Sequence, residues 1–110
     1  MVGVYQIDTY EVKYLSNKFA PIIYLKNAGK TFAQLVFQPN GTTLPNDAVI
    51  GGQCLLLYHL DDFANCIDLL RNEKPIFLQW IGTGGENGLK VVETVGEGEN
   101  DKPLLRRPSP

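Results

Sequence analysis

The chain has 110 residues, an apolar fraction of 44% and a formal net charge of −2, values typical of one small globular domain. A chain of this size can fold without a metal or a disulfide, and the spacing of its two cysteines, Cys54 and Cys66, matches no zinc or redox motif. Its N-terminus lacks the basic and apolar regions of a signal peptide and its apolar runs are too short to cross a bilayer, so we expect a cytoplasmic protein without a membrane segment.

The first part of the chain predicts strands. Residues 2–15 are rich in β-branched and aromatic side chains and predict one long strand, or two strands separated by a bulge. A second strand is predicted over 19–26, where Pro21 favours a sheet edge or the first position of the strand. Residues 27–29 form a hairpin loop, and 31–38 is the returning strand.

The middle of the chain contains a surface loop and a strongly apolar strand. Residues 39–47 are rich in turn-forming side chains and predict the loop. The strand that follows is centred on 53–58, and its nearly continuous apolar run predicts burial on both faces.

A helix is predicted over residues 61–72. Apolar side chains recur there at spacings of three and four, which places on one face Leu60, Phe63, Ala64, Ile67 and Leu70. Asp61 is predicted to cap the N-terminus by accepting hydrogen bonds from backbone N–H groups, and Pro75 prevents continuation of the helix. Strands over 76–81 and 89–95, joined by a glycine-rich turn, complete the pattern.

These elements predict an α+β fold, in which a twisted, mostly antiparallel β-sheet carries one principal helix over residues 61–72. We expect a single domain covering residues 1–95. Residues 96–110 are rich in Gly, Glu, Asn, Asp and Pro and cannot bury enough apolar surface to order themselves, so they predict a disordered C-terminal tail.

Catalytic chemistry has little support in the sequence. His59 is the only histidine, and its place at the start of the helix is typical of a residue that satisfies a backbone group or faces solvent. The adjacent Asp61 and Asp62 point in different directions and are better explained by helix capping. The glycine-rich segment 82–88 lacks the Lys-Ser/Thr pair and the helix of a phosphate-binding loop. We therefore expect no enzyme, no catalytic residue, no metal site and no cofactor.

The predicted hairpin combines aromatic and basic side chains. If its loop pairs Lys26 with Lys30, strand alternation brings several side chains to the face opposite the core. Together with a lysine of the first strand, this surface comprises Lys13, Tyr24, Lys26, Lys30, Phe32 and Gln34. Aromatic rings stack on bases and lysines contact phosphates, so the surface is predicted to bind single-stranded DNA or RNA.

An alternative function remains open for the same face. It can pack against another protein, which would make the domain a protein-interaction or assembly module without nucleic-acid binding. A bulge of one residue at the loop would also turn part of the face over.

The run from Ile22 to Leu70 resembles the Whirly proteins and, more distantly, the transcriptional coactivators that bind single-stranded DNA. It contains a strand hairpin, IIYLKNAGKTFAQLVFQPNG, a loop through Asp47, the strand QCLLLYHL and the apolar helix DDFANCIDLL. The segments KPIFLQW and GLKVVETV then resemble the extra strand pair of the Whirly proteins, whose lysine-rich strand motif is absent here. Small cyanobacterial proteins are similar in the same way. The resemblance implies β-sheets crossed by a helix, a homodimer or higher oligomer associated through helices, and a transcription-related role.

Overall fold

The computed structural model describes residues 2–16 and 20–92. Its strands are β1 (Gly3–Ile7), β2 (Thr9–Lys13), β3 (Ile22–Asn27), β4 (Lys30–Gln38), β5 (Ala48–Ile50), β6 (Gln53–His59), β7 (Ile76–Trp80) and β8 (Gly88–Val91). The helix α1 (Phe63–Asn72) follows one 3-10 turn, Leu60–Asp62. The predicted tail over 96–110 lies outside the described residues, as does the end of the strand predicted over 89–95.

The described residues form two mostly antiparallel sheets and one short helix, which confirms the predicted α+β class. A three-stranded sheet has the order β1-β7-β8, and a five-stranded sheet has the order β2-β3-β4-β6-β5. Every pair is antiparallel except β4 with β6. β5 is a short strand that the sequence did not predict. Residues 2–15, predicted as one long strand or two strands separated by a bulge, form two strands, and these belong to different sheets.

The chain passes from one sheet to the other at Asp8. Its backbone N–H donates to the carbonyl of Lys26 at 3.1 Å, and its Oδ2 accepts from the backbone N–H of Ala28 at 2.8 Å. The Nδ2 of Asn27 donates to the carbonyl of Gln6 at 3.0 Å. The β3–β4 hairpin is therefore anchored at the junction between the sheets.

The core lies on one face of the five-stranded sheet, which we call the inner face; the opposite face is the outer face. Side chains at most 1% exposed alternate along its strands and continue into β7: Ile23, Leu25, Ala33, Leu35, Phe37, Cys54, Leu56 and Leu78. α1 covers the inner face, where Phe63 packs edge-on against Phe37 with ring centroids 5.0 Å apart. Alternation at a period of two separates the two faces in this way.

Two details of the predicted helix are wrong. Asp61 is not the cap, because it lies in the 3-10 turn and exchanges two hydrogen bonds with the side chain of Asn40, at 2.9 and 2.8 Å. The apolar face is also rotated, since Ala64 is exposed while Cys66 is only 5% exposed. The physical reason is the angular spacing within α1, since Cys66, Ile67 and Leu70 follow Phe63 by three, four and seven residues and share its face, whereas Ala64 lies about 100° around the helix axis from Phe63.

Burial of β6 is one-sided. Cys54 and Leu56 are buried on the inner face, whereas Leu55 and Leu57 on the outer face are half-buried. Neither Leu55 nor Leu57 belongs to the side chains that pack against the core. The prediction of burial on both faces is therefore wrong for a single copy of the chain.

Candidate nucleic-acid interface

The turn of the β3–β4 hairpin is shorter than predicted. Residues 28–29 form it, with φ angles of 53° and 78°, so that Asn27 pairs with Lys30. Both central residues have positive φ, as in the tight turns that match the twist of a hairpin. Lys26 consequently pairs with Thr31. The predicted pairing of Lys26 with Lys30 is wrong because the turn has two residues instead of three.

A β-bulge follows this turn. The register shifts between Leu25 and Lys26, with Leu25 paired to Ala33, so Phe32 is the extra residue of β4. Phe32 packs against the core cluster, on the inner side of the sheet. Lys30, opposite Asn27, also lies on that side, because Asn27 is two positions from the buried Leu25.

The remaining residues of the predicted surface lie on the outer face: Lys13, Tyr24, Lys26 and Gln34. Two of them already have partners. The Nζ of Lys26 is 2.8 Å from the Oε1 of Glu11, and the Nε2 of Gln34 donates to the Oε1 of Gln53 at 3.0 Å. The hydrogen bond from Lys26, assisted by its charge, holds the pKa of Glu11 below its ordinary value. The structure thus divides the six predicted residues between two faces.

Lys30 and Phe32 line an open cleft beside β1, which we call the aromatic cleft. Its volume is about 400 Å³, and it is lined by Val4, Tyr5, Gln6, Asn27, Lys30 and Phe32. The ring centroids of Tyr5 and Phe32 are 6.2 Å apart, with their planes inclined at 50°. The Tyr5 ring lies over Gly3, where an added Cβ would be 3.2 Å from the hydroxyl oxygen. Two rings therefore meet at one end of the hairpin.

One charged side chain, that of Lys30, is among the residues that line the aromatic cleft. Lys30 is exposed and forms no ion pair with any residue in the described ranges, and the lining contains no carboxylate. Asn27 is held by its bond to the Gln6 carbonyl, which fixes one wall. A planar ring that enters this cleft would meet an aromatic face with an ammonium group at the rim.

Tyr5 was missed by the sequence prediction. The alternation of β1 marks it as half-buried, but nothing in that pattern shows which strand lies beside it. Only the crossing at Asp8 brings β1 next to the hairpin and places Tyr5 against Phe32.

A larger cavity of about 540 Å³ lies where the chain crosses between the sheets, against the end of α1. Its charged lining residues are Asp8, Arg71, Glu73 and Lys74, two of each sign. Such a balanced rim gives no preference for an anion over a cation. The aromatic cleft has the more selective chemistry.

The single histidine of the chain lies beside a backbone carbonyl, and the two cysteines lie in the core. The Nε2 of His59 is 2.6 Å from the carbonyl oxygen of Thr42 in the 39–47 loop. Cys54 and Cys66 are free and buried, and burial raises the pKa of both thiols, that of Cys66 to about 11.

Across residues 2–16 and 20–92, no three His, Cys, Asp or Glu side chains converge as a metal site would require. No helix in that part of the chain is long and apolar enough to cross a membrane.

Comparison with known proteins finds no matching family model, no matching curated protein and no matching solved structure. The resemblance to the Whirly proteins therefore stays a prediction from the sequence.

Proposed function

We propose that the protein binds single-stranded DNA or RNA without catalysis, as a homodimer, and that the aromatic cleft is the binding site. The observation that carries this proposal is the meeting of two rings, Tyr5 and Phe32, beside the exposed Lys30 in an open cleft. The outer-face residues of the predicted surface have a smaller part in it, because Lys26 and Gln34 already bond to neighbouring side chains.

Stacking supplies the larger share of the expected affinity. The rings are inclined at 50°, so a base that stacks on one ring presents its edge to the other. A base stacked on an aromatic side chain contributes about 1–3 kcal/mol, and the contact tolerates any base. The cleft volume of about 400 Å³ is within the usual range for small planar ligands.

Attraction of phosphate groups has to come from positive charge close to the binding site, because the whole chain carries a net charge of −2. Lys30 places one positive charge at the rim of the cleft, and none of the lining residues carries a carboxylate; the nearby carboxylate of Asp8 accepts from the backbone N–H of Ala28 in the turn. Each lysine–phosphate contact releases counterions, so the logarithm of affinity should fall with the logarithm of salt by roughly 0.7 per contact.

The test is a fluorescence-anisotropy titration at low salt with labelled mixed-sequence oligonucleotides of about 20 to 30 nucleotides. Phe32→Leu and Tyr5→Leu keep apolar packing but lose the stacking ring, and each should weaken binding by about 5-fold or more. Tyr24→Leu, on the outer face, is the matched control and should change affinity little.

A second pair of variants tests the charge. Lys30→Gln should reduce the salt slope by roughly 0.7, whereas Lys13→Gln on the outer face should leave it nearly unchanged. Absence of binding by the unmodified protein at low salt would contradict the proposal. Loss of binding in Tyr24→Leu but not in Phe32→Leu would place the site on the outer face instead.

A protein-interaction module is the second candidate function. The specific observation in its favour is the half-buried Leu55 and Leu57 on the outer face, which no part of the core covers. A pull-down with and without nuclease separates the candidates, because a nuclease-resistant partner protein favours the module.

The proposal also includes a cellular compartment and a biological role. The free thiols of Cys54 and Cys66 support a reducing compartment such as the cytoplasm. A transcription-related role rests on the Whirly resemblance alone.

A further inference from the structure

Two asparagines of the chain are followed directly by glycine: Asn40 and Asn87. An asparagine can lose its side-chain amide by deamidation, in which the backbone nitrogen of the next residue attacks the amide carbon. Glycine has no Cβ to obstruct this approach, which makes Asn-Gly the pair most prone to the reaction. The structure gives these two asparagines very different surroundings.

Asn40 and Gly41 are the central residues of an exposed turn at the start of the 39–47 loop. The backbone N–H of Thr42 closes this turn by donating to the carbonyl of Pro39 at 3.3 Å. Gly41 has a φ of 82°, and a Cβ placed on it would have no atom within 4 Å. Among the described residues, none accepts a hydrogen bond from the N–H of Gly41. The nitrogen that has to react is therefore unpaired and accessible to solvent.

The side-chain amide of Asn40 is held by two exposed hydrogen bonds to Asp61. Its Nδ2 donates to the Oδ1 of Asp61 at 2.9 Å, and its Oδ1 accepts from the backbone N–H of Asp61 at 2.8 Å. Water competes for exposed bonds of this kind, so each contributes little to holding the amide in place. The amide of Asn40 can therefore leave Asp61 and turn towards the nitrogen of Gly41.

Asn87 is held much more firmly. Its amide makes four hydrogen bonds, three of them partly shielded from water, to atoms of Ile81, Gly82 and Asp47. Gly88 is the first residue of β8 and pairs with Gln79, so the strand pairing also resists the backbone rotation that the reaction needs. At the net value of a protein hydrogen bond, two additional bonds make the reactive conformation of Asn87 about 30-fold rarer than that of Asn40.

We propose that Asn40 is a site of spontaneous deamidation in the folded protein, whereas the fold protects Asn87. Hydroxide removes the proton from the Gly41 nitrogen, which attacks the Cγ of Asn40 and closes a succinimide ring. The bond from Cγ to Nδ2 breaks, and Nδ2 takes a proton from water and leaves as ammonia. Another water molecule then opens the ring to aspartate or isoaspartate at position 40. In total, the asparagine and one water become an acidic residue and ammonia, without an oxidant or a reductant.

The reaction changes the contact between the 39–47 loop and the 3-10 turn before α1. An aspartate at position 40 can still accept from the backbone N–H of Asp61, but it has no Nδ2 to donate to the Asp61 carboxylate. Two carboxylates would then face each other across the space that this hydrogen bond now spans, and neighbouring like charges disfavour each other. Deamidation therefore replaces an attractive contact of the loop with a repulsive one.

The test is peptide mapping by mass spectrometry of the full chain, sampled during incubation at mildly alkaline pH. Deamidation replaces an NH2 group by OH and so raises the mass of the peptide that carries it. The peptide with Asn40 should gain this mass about 30-fold faster than the peptide with Asn87. Asn46 is an internal control, because it is exposed in the same loop but precedes Asp47, and it should react more slowly than Asn40.

Two variants and one change of conditions complete the test. Asn40→Gln has a longer side chain that would have to close a larger ring, so the mass gain at position 40 should be lost. Asn46→Gln is the matched control and should leave the reaction of Asn40 unchanged. Unfolding in urea should make Asn40 and Asn87 react at similar rates, because it opens the hydrogen bonds of both.

Three results would overturn the inference. The first is a folded protein in which Asn40 keeps its original mass. The second is a folded protein in which Asn87 reacts as fast as Asn40. The third is a difference between the two that persists in urea, because it would then belong to the local sequence and not to the structure.

Discussion

Replacement of Asn87 by alanine should remove a polar link between the two sheets. The Oδ1 of Asn87 accepts from the backbone N–H groups of Ile81 at 2.7 Å and Gly82 at 3.2 Å. Its Nδ2 donates to the Gly82 carbonyl and to the Oδ2 of Asp47, both at 2.9 Å. Asp47 continues the link, since its Oδ1 accepts from the backbone N–H of Leu57 in β6 at 2.9 Å.

The expected cost follows from these bonds. Asn87→Ala deletes four of them, and three are partly shielded from water. With a net contribution of about 1 kcal/mol per bond, the loss is roughly 3–4 kcal/mol. This is a large part of the roughly 5–15 kcal/mol that stabilises a small domain.

Urea denaturation followed by fluorescence measures this change. Trp80 is the only tryptophan and is 3% exposed, so its emission reports unfolding. At a slope of about 1–3 kcal/mol per molar, the midpoint should fall by about 1–4 M with the slope unchanged. Asn72→Ala is the matched control, because its side chain makes one exposed bond, to Asp68 at 2.7 Å. Equal losses of unfolding free energy in the two variants would refute the reasoning.

Two further predictions concern the hairpin turn and the buried thiol. Ala28→Gly should raise the unfolding free energy by about 0.5–1 kcal/mol in the same assay. The reason is that Ala28 has a φ angle of 53°, a region that glycine adopts without steric cost. A loss of stability would contradict this prediction. Burial, and then the charge of Asp62, raise the pKa of Cys66 from 9.0 to about 11, so the unfolded chain loses this proton first. The contribution of Cys66 to stability should therefore be constant well below pH 9 and fall as the pH rises from 9 to 11. Denaturation as a function of pH should show part of that decline removed in Cys66→Ala, and an unchanged decline would contradict the assignment.

Strand and helix positions followed from the sequence because they depend on local chemistry. The alternation in β4, the apolar run in β6, the turn formers of the 39–47 loop and the spacing of apolar residues in α1 each specify an element without reference to the rest of the chain. The partner of a strand is different, since it is a long-range property. Ile7 pairs with Ile76, and no pattern within residues 2–15 indicates that β1 leaves its sheet for one built much later in the chain.

Two predictions about the candidate site were wrong, the pairing of Lys26 with Lys30 and the face on which Phe32 lies. Both errors have their origin at Asp8. The sequence predicts a three-residue loop because such a loop needs positive φ only at Gly29. The observed two-residue turn also forces Ala28 into a region that costs an L-residue about 1–2 kcal/mol. The bond from the Ala28 N–H to Asp8 offsets that cost, and Asp8 can provide it only because the chain crosses between the sheets there. The short turn and the bulge after it then carry Phe32 to the inner side, where the crossing has already placed Tyr5. Removing the carboxylate in Asp8→Ala should therefore disturb the hairpin register and the aromatic cleft together.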